Sequence, residues 1–202
     1  MVRILKTATA AILSIALLIC SASCGKSSNT TSDTTVGNTV ADAYGGSALE
    51  LLNTVWASYK DDERFFAFGG EPINDGPGAY SVENTEALKG ALCFPPELAE
   101  KIDSAASLIQ GMNTNLFTCG VFHFKNADDV QDAVSLIKSS ILANHWMCGS
   151  PDRLFIITVP GNYIISAWGV IDENTNYITE FKNKVIENIS GAAVAVSEPV
   201  IR

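Results

Sequence analysis

The residues of this 202-residue chain that could carry chemistry are few: Cys93, Cys119 and Cys148, together with the only two histidines, His123 and His145. A cysteine–histidine dyad is the first arrangement to test. Cys119 and His123 fall on one face of a strand-like segment, but four residues along a strand span about 13 Å, beyond hydrogen-bond reach. His145 can approach Cys148 across a helix end, where a histidine beside a structural cysteine is the commoner arrangement. Cys93, in Leu92-Cys93-Phe94, has the setting of a small core residue. No CxxC, His-x-x-x-His or GxSxG occurs, so a zinc knuckle, a thioredoxin-type redox pair and a hydrolase elbow all lack their spacing. Asp61-Asp62-Glu63 and the Glu71–Asp75 loop lack the alternating oxygen ligands of a calcium loop. No carboxylate pair sits in an apolar setting that would separate two pKa values. The expectation is a protein without catalytic residues, metal or cofactor. An envelope hydrolase is the weaker contrary reading, and it requires a cleft with converging polar groups.

Cys119 begins a strand, and Cys148 follows the helix that returns the chain to that strand's starting edge. A bridge there closes a loop of about 30 residues, worth roughly 3–4 kcal/mol if unstrained. Two buried free thiols and a redox-active pair are the alternatives. For binding, the candidate rim is the loop carrying Gly69, Gly70, Glu71 and Asp75, joined by Trp146 and Trp168, for which core packing is the commoner reading and groove lining the alternative.

These groups need elements to hold them. Ser47-Ala48-Leu49-Glu50 is a capping box, and Ala48, Leu52, Val55, Trp56 and Tyr59 recur at helical spacing to about Lys60. Asp61 to Tyr80 is expected to be irregular, because Gly69–Gly78 places four glycines and two prolines in ten residues. A short helix follows around Glu83 to Leu88. Pro95-Pro96 opens another near Glu97 to Gln110, with Leu98, Ile102, Ala105, Ala106 and Ile109 on one face and Gly111 as its stop.

The second half is patterned more clearly. Phe117–Lys125 alternates as a strand, with Gly120, Phe122 and Phe124 on one face and Cys119, Val121 and His123 on the other. Asn126–Asp129 caps a helix with Val130, Ala133, Val134, Ile137 and Ile141 as its apolar stripe. Leu154–Val159 and Tyr163–Val170 are strands joined at Pro160-Gly161-Asn162. A last helix starts at Asp172 or Asn174 and turns Tyr177, Ile178, Phe181, Val185 and Ile189 inward. The β-α-β-β-α order predicts an α+β domain: a small, twisted, mainly antiparallel sheet with helices on one face, preceded by N-terminal helices.

The N-terminus locates the protein. Arg3 and Lys6 precede an apolar run from Thr7 to Cys20, then Ser21-Ala22-Ser23 and Cys24-Gly25. This is the pattern of an export signal, and the run is too short to span a bilayer. Cleavage before Cys24, with lipidation there, is the expectation. Ser21-Ala22-Ser23 also fits ordinary secretion, which would leave Cys24 free. Two or more acyl chains would hold the protein to the outer face of the cytoplasmic membrane. Gly25–Gly46, rich in Ser, Thr, Asn and Gly, reads as a disordered tether with a reach of about 25 Å. The expected organisation is a signal at 1–23, a lipidated cysteine and tether at 24–46, and one domain at 47–202. Losing Arg3 and Lys6 leaves 11 basic against 22 acidic side chains, a formal charge of −11, which disfavours nucleic acid as a partner.

The stretch from Phe117-Thr118-Cys119-Gly120 through Trp146-Met147-Cys148-Gly149 to Trp168-Gly169, with Ser47–Tyr59 upstream, resembles a group of clostridial exported lipoproteins named as bacteriocin transport accessory proteins. The resemblance implies a membrane-tethered accessory domain that meets a protein, peptide or envelope partner, with a link to peptide export. A thiol–disulfide accessory protein using Cys119 and Cys148 is the alternative.

Overall fold

The computed structural model describes residues 42–112, 116–147, 149–172 and 175–201. The expected signal, Cys24, most of the tether, Cys148 and Asn174 lie outside the described residues. Thr39–Arg202 form one compact unit. Its elements run α1 (Ala48–Ala57), β1 (Ala67–Gly69), β2 (Asn74–Asp75), β3 (Gly78–Tyr80), α2 (Thr85–Leu92), a 3-10 turn (Pro96–Lys101), β4 (Ile102–Gln110), β5 (Thr118–Phe124), α3 (Asp128–Leu142), β6 (Arg153–Val159), β7 (Tyr163–Gly169), α4 (Tyr177–Asn188) and β8 (Ala193–Pro199). All strand pairs are antiparallel, in the order β2-β1-β4-β5-β7-β6-β8, and β3 also pairs with β4. The α+β class and the β-α-β-β-α core hold.

The helices cover both faces of the sheet, where the sequence pattern predicted one. One core joins Leu51, Leu52 and Val55 of α1 and Phe181 and Val185 of α4 to Cys119, Val121, Ile157 and Ile165 of the sheet. The other joins Leu88 and Leu92 of α2 and Ala133, Ile137 and Ile141 of α3 to Phe122, Phe124, Ile156 and Trp168. Topology accounts for this. The β5-α3-β6 crossover steps over β7, and β7-α4-β8 steps over β6 in the same direction across the sheet. Because β5 and β7 run oppositely, two crossovers of one hand must place their helices on opposite faces. Burial on both faces also explains why β6 and β7 read as nearly continuous apolar runs; every residue of β7 is buried.

Three segments depart from the sequence expectation. Ile102–Gln110 is a strand rather than the second half of a helix. Its apolar residues fit a helical stripe, but the free edge of β5 takes it as a partner from Ile109↔Thr118 to Ile102↔Phe124. The Asp61–Tyr80 segment contains three short strands. Two of them share one edge of β4 because Gly69 and Gly78 lack side chains: a Cβ on Gly69 would lie 2.0 Å from Ser107 O, and one on Gly78 2.1 Å from Gly69 O. The third departure is β8, a terminal strand that the sequence pattern did not signal.

Where the described chain begins, it is fixed to the β6–β7 turn. Tyr44 N–H donates to Pro160 O at 2.9 Å, and the Tyr163 hydroxyl donates to Gly46 O. Gly161, at φ +95°, permits the approach, since a Cβ there would meet Tyr44 O at 2.5 Å. The capping box at Ser47 and Glu50 then starts α1 as the sequence indicated.

Candidate functional site

The predicted rim residues separate into two places. Gly69 and Gly70 are buried under β4, where Gly70 N–H donates to Ser107 Oγ at 2.9 Å. They serve backbone approach rather than a rim. Glu71 is exposed and accepts from Asn84 Nδ2 at 2.9 Å through both oxygens, tying the loop to the N-cap of α2. Asp75 is exposed on β2, opposite Phe68.

Trp146 and Trp168 do come together, with ring centroids 5.9 Å apart and planes tilted by 57°. Trp168 ends β7 opposite Thr118 and is buried; Trp146 follows α3 and is half-buried. They border a cleft at one end of the α2/α3 face. Its main opening holds about 480 Å³ and is lined by Leu142 to Trp146, Gly149, Ser150 and Ile201. A second, of about 340 Å³, reaches inward between Gly90, Ala91 and Cys93 on one side and Leu116, Thr118 and Trp168 on the other. A third, of about 430 Å³, runs along Glu86, Lys89 and Ser140. Asn144 and His145 border all three. Thr118 and Trp146-Met147, from the two most distinctive segments of the sequence, line the same opening.

The cleft exists because the layer is unfinished there. α3 ends at Leu142, and the described residues from 143 to 152 form no helix or strand. On the other side α2 closes with Cys93 in the left-handed region at φ 50°, and Gly90 and Ala91 leave the wall low.

Its chemistry is aromatic and largely neutral. Glu86 and Lys89 border only the third opening. Burial pushes the Cys93 thiol up to about 11, so it stays protonated at neutral pH and supplies no thiolate beside His145. The Trp146 indole nitrogen is enclosed and has no hydrogen-bond partner among the described residues. A buried donor left unpaired costs about 1–3 kcal/mol.

The other described cysteine, Cys119, is a wholly buried free thiol in the α1/α4 core, and burial raises its pKa well above the usual range. That environment does not favour thiol exchange at Cys119. Among the described residues, no group of three or more His, Cys, Asp or Glu is placed to hold a metal ion.

Sequence reasoning missed one polar pair. His123 Nδ1 lies 2.5 Å from Asp103 Oδ1. Asp103 occupies the β-bulge where the register shifts between Ile102 and Ser104, and the bulge gives its carboxylate reach to the neighbouring strand. Ser104 Oγ accepts from Ala48 N–H at 3.0 Å, and the Tyr163 ring packs 4.5 Å from His123. The group joins β4, β5, β7 and the start of α1. Recognising Ile102–Gln110 as a strand would have brought Asp103 and His123 together.

No family model matches the chain, and neither the curated proteins nor the solved structures contain a match to it. Among the described residues, no helix is long and apolar enough to cross a membrane.

Proposed function

We propose that this protein is a lipid-anchored, extracytoplasmic binding domain, non-enzymatic, that recruits a partner through the Trp146–Trp168 cleft. The observation that carries the proposal is the cleft itself: two indoles at 5.9 Å, an indole donor without a partner among the described residues, and two openings lined by no acidic or basic side chain other than His145. Its volume falls within the range of small-ligand sites, and its composition suits an uncharged, partly apolar group bearing a hydrogen-bond acceptor. Such groups occur on peptides and on envelope components. Thr118 and Trp146-Met147, from the segments on which the likeness to accessory lipoproteins of peptide export rests, line one opening of this cleft.

Intrinsic fluorescence of the full chain tests the site. Titration with uncharged envelope fragments and with apolar peptides should give a saturable change that Trp146→Ala abolishes. An equal response in that variant would overturn the proposal. The anchor is tested separately by detergent-phase partitioning. The wild-type chain should enter the detergent phase and Cys24→Ala should not; retention of the variant there would remove Cys24 as the anchor.

A further inference from the structure

Gly90 is a glycine that the fold does not require. It stands inside α2, between Lys89 and Ala91. Glycine weakens a helix relative to alanine, and it is needed where a positive φ or a close neighbour forbids a side chain. Neither reason applies at Gly90: its φ is not positive, and a Cβ there would meet nothing within 4 Å. Gly69, Gly78 and Gly120, which stand in strands, differ. A Cβ on each would lie 2.0, 2.1 and 2.7 Å from a neighbouring atom.

The side chain that Gly90 lacks would project into the third opening of the cleft. Glu86, Lys89, Gly90 and Cys93 recur at i, i+3, i+4 and i+7, the spacing of one helical face, and all four line that opening. Leu88 and Leu92 hold the other side of α2 in the core. Across the opening stand Ser140 and Ala143 at the end of α3, followed by Asn144 and His145. Gly90, Cys93, Asn144 and His145 also border the second opening, which reaches Trp146 and Trp168. Gly90 therefore sits where the groove between α2 and α3 joins the aromatic part of the cleft.

We infer that Gly90 is a specificity-determining residue of the cleft. Its bare backbone keeps the α2–α3 groove continuous with the Trp146–Trp168 opening, and a leucine-sized side chain at this position would fill the junction. The ligand class that fits is elongated, with an uncharged apolar end beside the indoles and a polar continuation along Glu86 and Lys89. This rests on the cleft reading for what binds, and on the groove alone for what Gly90 does.

Thiol labelling of the full chain reads the junction without a ligand. Cys93 lines both openings, whereas Cys119 is wholly buried in the other core and reports global opening. With N-ethylmaleimide at mildly alkaline pH, followed by peptide mass mapping, Cys93 should label ahead of Cys119. Gly90→Leu should slow Cys93 roughly ten-fold and leave Cys119 unchanged. Gly90→Ala should raise the melting temperature by about 1–4 °C. In the fluorescence titration with apolar peptides, Gly90→Leu should weaken binding roughly ten-fold. Labelling of Cys93 at the wild-type rate in Gly90→Leu overturns the inference. So does a Gly90→Ala chain that melts below wild type, because the fold would then need the glycine. A peptide response that Gly90→Leu leaves intact overturns it while the cleft reading stands. If instead Trp146→Ala responds as wild type does, the cleft reading falls, and the Cys93 rates still decide the role of Gly90.

Discussion

The two faces of this sheet are built from the same strands and finished differently. On the α1/α4 face aromatic rings succeed one another across the core: Trp56 to Phe65 at 5.2 Å, Phe65 to Phe117 at 5.3 Å, and Phe117 to Phe181 at 5.3 Å. Lys184 of α4 closes the margin, binding Glu63 at 2.7 Å and Ser58 O at 3.3 Å beside the end of α1. On the α2/α3 face α3 stops early, and Trp168 meets Trp146, whose indole nitrogen has no partner among the described residues. The difference teaches where to look for each property. A sealed face holds the fold together, and an unfinished one leaves aromatic surface beside an open cleft.

The comparison breaks most easily at the centre of the sealed face. Phe117 is wholly buried there, and Phe117→Ala should cost about 3–5 kcal/mol in chemical denaturation. A loss below about 1 kcal/mol would show that this face is not the stabilising one. At the open face the expectation reverses. Trp146→Phe keeps an aromatic ring against Trp168 and removes the orphaned donor, so stability should stay level or rise by up to about 1 kcal/mol while ligand affinity falls. A drop of more than about 2 kcal/mol would make Trp146 a core residue like its counterparts opposite.

The margin of the sealed face responds to acid. Hydrogen bonding to Lys184, and then to the Lys60 backbone and side chain, lowers the Glu63 carboxyl from 4.5 to about 2. A depressed folded-state pKa means stability that is present above about 4.5 and lost as pH falls towards 2. Wild type should therefore melt above Glu63→Gln at neutral pH, and the gap should close in that window. A gap independent of pH would remove the ion pair as its cause. The smallest effect is at Glu180, whose pKa is raised by burial and then by Glu63. A raised carboxyl opposes folding while ionised, so Glu180→Gln should increase the melting temperature slightly at neutral pH. That advantage should shrink as pH falls through the carboxylate range. A lower melting temperature at neutral pH would show that Glu180 contributes through its charge.

The sequence made the second half legible because its periods are clean. Cys119, Val121 and His123 against Gly120, Phe122 and Phe124 can be read only as a strand, and the apolar stripe of α3 only as a helix. Strand β4 was not legible, because Leu98, Ile102, Ala105, Ala106 and Ile109 satisfy helical spacing and alanine favours helices. What made it a strand was β5, a distant partner that local pattern does not contain. The same gap hid Asp103 beside His123. Strand β8 escaped because Ala193–Pro199 is largely exposed on both faces and so shows no apolar alternation. Of the site, Trp146 and Trp168 could be read either as core aromatics or as groove-lining ones, and Trp168 is in fact buried in the α2/α3 core. The place of Cys93 in the same wall depended on where α2 ends, and short-range pattern sets boundaries poorly.

The attachment of the chain near Tyr44 has a mechanical consequence. A pull from upstream of Asp42 enters the domain through Tyr44 and Gly46, which are bonded to Pro160 and to the Tyr163 hydroxyl. Tyr163 opens β7, an interior strand paired along its length with β5 and β6. Load is thus delivered to a strand that must shear against two neighbours at once, and not to β8, which could be peeled from the sheet one hydrogen bond at a time.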